Sequence, residues 1–302
     1  RSFGRLFVWA VPILAAYGIY QFVRLPAWDA AWLQAARMNS VGPAIPFAFR
    51  VFGSLNTPGP FALVLLVVIL ASLGLKSRFQ WVSLTLGVVA ILLTRVRSSW
   101  VVFPIGLVVL QFGSSLRKLP KQWLIIIAVG ALVLPVLNLA DSRGSVLRRI
   151  MSLSDISEDR SFQRRVALTR GFANEIVDRA EGNGLGATGG ASKLKSEVGV
   201  RSLDNGVLEV LFTLGWLGGM LYYSGFVILV GRVMTSINVR GDPFLAGVRA
   251  ASAALTITLP VNEIFAGVIG HLTMMLIGLA MAARVHQVTV RHARILAMRR
   301  PR

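Results

Sequence analysis

The sequence predicts an all-α, polytopic membrane protein, and three observations carry that reading. Charged residues make up only 15% of the 302 against 55% hydrophobic, and the mean hydropathy is +0.67. Soluble domains carry about 25% charged residues, so this chain lacks the groups that keep a surface wet. Apolar runs close to the ~20 residues needed to cross a bilayer recur along it. Basic residues, finally, are unevenly shared between alternate connections. Cysteine is absent, which excludes a disulfide framework and thiol chemistry.

In chain order the predicted spans cover 5–23, 59–75, 79–94, 99–115, 122–140, 206–230, 244–261 and 264–283, about eight transmembrane helices. Residues 1–302 read as a single integral membrane domain, with a long loop at 141–205 and a basic tail at 284–302. The chain starts at Arg1 without a methionine or a cleavable signal pattern, so it is expected to be a trimmed or partial copy of a longer protein. With both termini in the cytoplasm, the cytoplasmic segments hold half of the 32 basic residues and one of the 13 acids, Asp242. That asymmetry is what the positive-inside rule expects. The net charge of +19 is then a topology signal, and the arginine-rich tail is drawn to anionic lipid rather than to nucleic acid.

This orientation puts residues 24–58, the turn in TRVRSSW and the loop 141–205 on the outer, periplasm-like face. Within the loop, Phe162, Val166, Thr169, Ala173, Ile176, Val177 and Ala180 form one stripe at helical spacing. Glu158 and Asp159 stand at its start and Gly182 follows it, as helix ends favour. An amphipathic helix is expected, lying against the bilayer or the bundle, with Arg165 and Arg170 at its edges. The residues that follow, GNGLGATGG, contain a literal G-x-G-x-x-G from Gly184 to Gly189. No strand precedes it, so the dinucleotide reading fails. Its glycines, Gly184 and Gly186 among them, serve either a flexible turn or a backbone passing close to a bulky anionic ligand.

Arginine beside a membrane span is costly, so its positions are informative. Arg95 and Arg97 occupy the outer end of a hairpin, and Arg50 precedes another span on the same face. With Arg165 and Arg170 they make five guanidiniums that either snorkel to the interface or bind an anion bidentately. A membrane-embedded, multiply charged phosphate accounts for the clustering; a neutral solute does not. Asp204 and Asn205 stand at the start of a later span, with Glu209 further along the same face. Asp204 is either a helix cap or a group that accepts a proton from an attacking hydroxyl. Glu209, inside the span, requires a partner or a water-filled cavity. Asn262 and Glu263 are expected at another outer turn on the opposite side of the bundle. His271 in the last span reads as hydrogen-bonded packing. There is no metal-ligand spacing and no nucleophile elbow.

The order of these pieces resembles the O-antigen ligase and Wzy-type polymerase superfamily. RVFGSLNTPGPFALVLLVVIL is similar to its Arg-x-x-Gly-x-x-x-x-Pro span start, and TRVRSSWVVFPIGLVVL to its Ser-Arg-Ser turn. RRVALTRGFANEIVDRAEGNGLGATG resembles its external-loop pattern, and SLDNGVLEVLFTLGWLGG its His/Asp-Asn span. The resemblance runs from about Arg50 to Gly231. It implies a metal- and cofactor-independent, GT-C-like glycosyltransferase of the bacterial inner membrane, acting on glycans linked to undecaprenyl diphosphate. By the resemblance Arg50, Arg97 and Arg165 hold the diphosphate, and Asp204 aligns with the histidine that activates the acceptor hydroxyl in the ligases. Arg95, Arg170, Gly184, Gly186, Asn205 and Glu209 are the further substrate-binding residues expected. Histidine titrates near neutrality whereas an unperturbed Asp has a pKa of about 3.9. The Asp-Asn version is more like the polymerases, so the expected reaction joins repeat units. The partners expected are lipid-linked donor and acceptor, membrane lipids and a chain-length regulator. Transfer of the glycan to lipid A core is the alternative. A transporter of an anionic lipid or solute is less favoured, because no internal repeat is visible and the charges avoid the midplane. A structural scaffold would leave the arginines without purpose. Family members usually have more spans at the N-terminus, in keeping with a partial chain.

Overall fold

The computed structural model describes residues 2–36, 40–75, 79–112, 119–140, 163, 171–173, 175–188, 205–235 and 242–298. Among the described residues its main elements are helices: α1 Ser2–Arg24, α2 Ala27–Ala36, α3 Pro58–Leu73, α4 Gln80–Thr94, α5 Arg97–Gln111, α6 Leu119–Ala140, α7 Gly206–Met234, α8 Pro243–Thr258 and α9 Gly267–Met298. Each predicted apolar run is one of these helices. By length and composition α1, α7 and α9 suffice to cross a membrane, while α3, α4, α5, α8 and Trp123–Val133 of α6 are shorter apolar helices. Helix α9 continues into the basic tail as far as Met298.

Helix α3 is the centre of the bundle. Its sequence, PGPFALVLLVVILASL, is apolar on every face, and it is buried from Phe61 to Leu73. Pro58 in its first turn gives up no helical hydrogen bond there. Helices α1, α4, α5 and α8 surround it. Lipid tails are as apolar as leucine, so helix association in a membrane depends on close packing rather than on the hydrophobic effect. Accordingly the buried face of α8 is built of small residues, Ala246, Gly247, Ala250, Ala251 and Ala254. A Cβ added to Gly247 would lie 2.6 Å from the Leu70 carbonyl oxygen.

Two features depart from the sequence reading. The segment 24–58 contains α2, AWDAAWLQAA, which was expected only as a connection. Its Asp29 is buried beneath it and accepts from the Tyr17 hydroxyl at 2.9 Å, which in turn accepts from Trp28 Nε1. The second departure is in α7, which is not one straight span. Gly215 breaks the helix with φ 69° and ψ 174°. The Tyr223 hydroxyl donates to the Gly206 carbonyl at 2.8 Å, although a straight helix would separate residues 17 apart by about 25 Å. The chain therefore folds back at Gly215 into a short limb, 206–214, and a longer one, 216–234. At about 28 Å the longer limb is itself long enough to cross a bilayer. Glu209 lies in the short limb, which corrects its expected place inside a span.

The connections gather alternately at two ends of the bundle. At one end Trp9 of α1 packs at a tilt against Phe79 before α4, Phe7 meets Phe244 of α8, and Arg284 of α9 donates to the Arg232 carbonyl of α7. At the other, the loop 40–57 pairs with the α4–α5 corner, since Val51 N donates to Leu93 O. The α8–α9 connection reaches the same corner and the start of α7: Asn262 donates to Ser98, and Gly206 N donates to Leu259 O. The candidate site is at this second end.

Candidate functional site

Three of the predicted arginines come together where α4 turns into α5. Arg95 ends α4 in the left-handed conformation, φ 54°, and is only 4% exposed. Its Nη2 donates to the Phe47 carbonyl at 3.4 Å. Arg50 reaches the same corner from the 40–57 loop, with Nε on the Thr94 carbonyl at 3.0 Å and Nη1 on Ser40 O at 3.2 Å. Arg97 opens α5 two residues further on and is half-buried. The loop that carries Arg50 is itself fixed by a side chain that sequence reasoning missed. Gln21 of α1, fully buried, accepts from the amides of Phe52 and Gly53 and donates to the Gly53 carbonyl. A buried polar residue in a span was the signal available for it.

One hydrogen bond from this corner lies a carboxyl pair. Asn262 Nδ2 donates to Ser98 Oγ at 3.2 Å, and the next residue, Glu263, neighbours the Glu209 carboxylate. The expectation that Asn262 and Glu263 lie on the opposite side of the bundle is thus overturned. The fold-back at Gly215 and the Phe265 ring explain why: Phe265 packs edge-on against Tyr222 and Phe226, holding the α8–α9 connection to α7. Burial and the neighbouring Glu209 carboxylate push Glu263 up to about 7. Glu209 Oε1 also accepts from the Thr188 hydroxyl at 2.8 Å. Glu263 was legible in principle, being one of only two acids that follow Glu209.

Thr188 belongs to the glycine-rich segment, and its seating answers what those glycines do. Gly182, Gly184 and Gly186 all have positive φ. Asn183 N and Gly184 N donate to the carbonyls of Phe212 and Thr213 at 2.9 Å each. Those carbonyls end the short limb of α7, so the loop amides satisfy groups the broken helix leaves open. The close approach that glycine permits is made here to α7. Phe172 and Ile176, at helical spacing upstream, add an apolar contact. Phe172 meets Phe212 edge-on at 4.9 Å and Ile176 is buried beside it, while Val177 of the predicted stripe is exposed.

Asn205 is the N-cap of α7, its Oδ1 accepting from Val207 N and Leu208 N at 3.0 and 3.2 Å. His271 Nδ1 donates to the Gly267 carbonyl within α9. Asp204, Arg165 and Arg170 lie outside the described residues. None of the curated proteins compared matches the chain. A family described as O-antigen ligase matches residues 81–223, from α4 through the arginine corner and the glycine loop to both limbs around Gly215. Over that stretch, just under half of its length, the chain is similar to the O-antigen ligase family.

Proposed function

We propose that the chain polymerises glycan repeat units carried on undecaprenyl diphosphate. The similarity to the O-antigen ligase family supports a glycosyl-transferring activity of ligase or polymerase type; the choice of polymerase rests on the Asp204–Asn205 pair standing where the ligases have histidine. The observation that carries the reading is the meeting of Arg50, Arg95 and Arg97 at one corner, fed by two separate stretches of chain. A left-handed, buried arginine costs about 1–2 kcal/mol in backbone alone, and such cost concentrates where a ligand is held. Guanidiniums match phosphate oxygens bidentately and stay charged when desolvated. In this reading they bind the diphosphate of the donor and stabilise it as it leaves, with Arg165 and Arg170 completing the clamp from the long loop. Asp204, next to the α7 cap, orients the acceptor hydroxyl of a second lipid-linked repeat.

The same reading takes the eight apolar helices as crossings of the bacterial inner membrane, with both termini cytoplasmic and the arginine corner at the periplasmic face. The charge asymmetry of the connections supports that orientation. Purified protein incubated with a synthetic lipid-diphosphate repeat unit tests the proposal. A product ladder supports polymerisation, a single transfer to a core acceptor supports ligation, and no reaction removes both.

A further inference from the structure

At 10 residues α2 is about 15 Å long, too short to cross a bilayer, yet the face it turns outward is apolar. Ala27, Trp28, Ala31, Trp32 and Ala35 are exposed there, Trp28 by 63%, with Gln34 at one edge. Asp29 and Leu33 point the other way and are buried. Both indoles hold their polar end against the protein: Trp28 Nε1 donates to the Tyr17 hydroxyl, and Trp32 Nε1 to the Asn56 carbonyl. This face continues a second one. On α1, Leu6, Trp9, Ile13, Ala16, Tyr20 and Val23 are exposed at spacings of three and four, a stripe along the whole helix. Helix α1 is long and apolar enough to cross a membrane, so the stripe is the side it shows to lipid. Tyr17 joins the two faces, its ring 6.5 Å from Tyr20 and its hydroxyl on Trp28. Ile45 and Phe47 of the next loop are exposed at the same end. Phe47 is pinned to α1, its ring edge-on to Phe22 at 5.4 Å and its amide on the Phe22 carbonyl. Its φ of 66° is one that bulky side chains rarely adopt.

We propose that α2, with Ile45 and Phe47, is an interfacial anchor seated in the headgroup–acyl boundary of the phospholipid leaflet at this end of the bundle, and that it fixes the arginine corner at the level of the lipid phosphates. Tryptophan and tyrosine suit that zone, because the ring is buried among acyl chains while the N–H or O–H stays hydrogen-bonded. The apolar face of such a helix settles about 5–10 Å into the boundary. Arg24, the exposed last residue of α1, reaches the phosphates from the same turn. The anchor is tied to the corner through the chain. Trp32 holds Asn56, at the end of the loop that carries Arg50, and the Phe47 carbonyl accepts from Arg95. The depth of α2 is thereby passed to both arginines. A saccharide would need hydrogen-bonding groups around the rings, and Gln34 is the one amide on the face, which favours lipid. The proposal rests on α1 crossing the membrane, as in the reading above, and not on the reaction catalysed.

The chain has no cysteine, so single sites can be labelled without removing any. Ala31→Cys, Ala35→Cys, Ser54→Cys in the Arg50 loop and Ile13→Cys as a reference each carry a nitroxide, in vesicles of phosphatidylethanolamine and phosphatidylglycerol. All four positions are exposed, so the label displaces no packed side chain. Collision with oxygen, which concentrates in lipid, against collision with a water-soluble nickel chelate gives the depth of each label. The Ile13 label, about 16 Å along α1 from Arg24, is expected deep in the hydrocarbon. Those at Ala31 and Ala35 are expected about 5–10 Å inside the phosphates, and the one at Ser54 at the phosphates themselves. Ala31 and Ala35 labels in water while Ile13 is deep overturn the proposal and leave the crossing of α1 standing; so does a Ser54 label clear of the headgroups. An Ile13 label in water removes the crossing, and the anchor with it. Ala31 and Ala35 labels that sit in water until soluble repeat-unit oligosaccharide shields them from the chelate assign the face to sugar stacking, which also overturns the proposal.

Discussion

Gly182 and Gly215 approach each other too closely for either to carry a side chain. A Cβ on Gly215 would lie 2.5 Å from the Gly182 amide nitrogen, and one on Gly182 would lie 2.6 Å from the Leu214 carbonyl carbon. This seam joins the glycine loop to the bend of α7, and the hydrogen bonds from Asn183 and Gly184 lie alongside it. Gly215→Ala places a methyl in that gap at a φ of 69°. Overpacking and the left-handed backbone together cost about 2–4 kcal/mol. The variant is expected to melt lower in detergent and to be nicked by protease within 180–188. Wild-type melting with an intact loop would mean the seam bears no weight.

Gln21→Leu removes the partner of two buried amides and one carbonyl in the loop of Arg50. Each stranded group costs roughly 1–3 kcal/mol, so a drop in melting temperature with a misplaced Arg50 is expected. Donor-lipid binding by the folded fraction, measured at a temperature well below the melting point, checks it. Unchanged stability and binding would mean the loop is held by other contacts.

Stability should depend on pH through Glu263. In the folded chain it titrates at about 7, against about 4.3 for a free Glu. The folded state binds this proton more tightly, so the associated stability is fully present below about pH 4 and is lost as pH rises to about 7. Glu263→Gln cannot ionise. It is expected to melt with the wild type near pH 4 and above it at pH 8, the gap opening between those limits. A gap independent of pH contradicts that placement beside Glu209.

Asp204→Asn is expected to slow turnover while donor lipid still binds, since the guanidinium corner is untouched. Equilibrium binding of a labelled lipid diphosphate beside the rate of product formation separates the two. Unaltered turnover would leave Asp204 without a chemical role.

Much of this was legible because α3 or α8 announces itself by a long apolar run, and an arginine beside such a run stands out. The meeting of Arg50 with Arg95 was legible for the same reason. What escaped depends on contacts distant in sequence. Gly215 sits in TLGWLGG, an apolar stretch with nothing to mark a reversal, and its partner loop is far upstream. The reversal is what moves Glu209 out of a span and against Glu263, so one unmarked bend misplaced both carboxyls. Helix α2 escaped because AWDAAWLQAA is too short and too mixed to register as a span. The motif of Gly184 and Gly186 was legible as a turn or a close approach of backbone, but its seat on Phe212 and Thr213 required the fold.

The central claim is that the guanidiniums beside Thr94 hold the diphosphate of a lipid-linked glycan. Arg97→Lys tests it most directly, because Arg97 opens α5 and the change keeps the charge while removing the bidentate fork. Reconstituted at wild-type levels and melting temperature with a synthetic lipid-diphosphate repeat, it is expected to give no product ladder and to accumulate single repeats. That corresponds to a loss on the order of 3 kcal/mol in the barrier. A ladder of wild-type length and rate from Arg97→Lys would contradict the account.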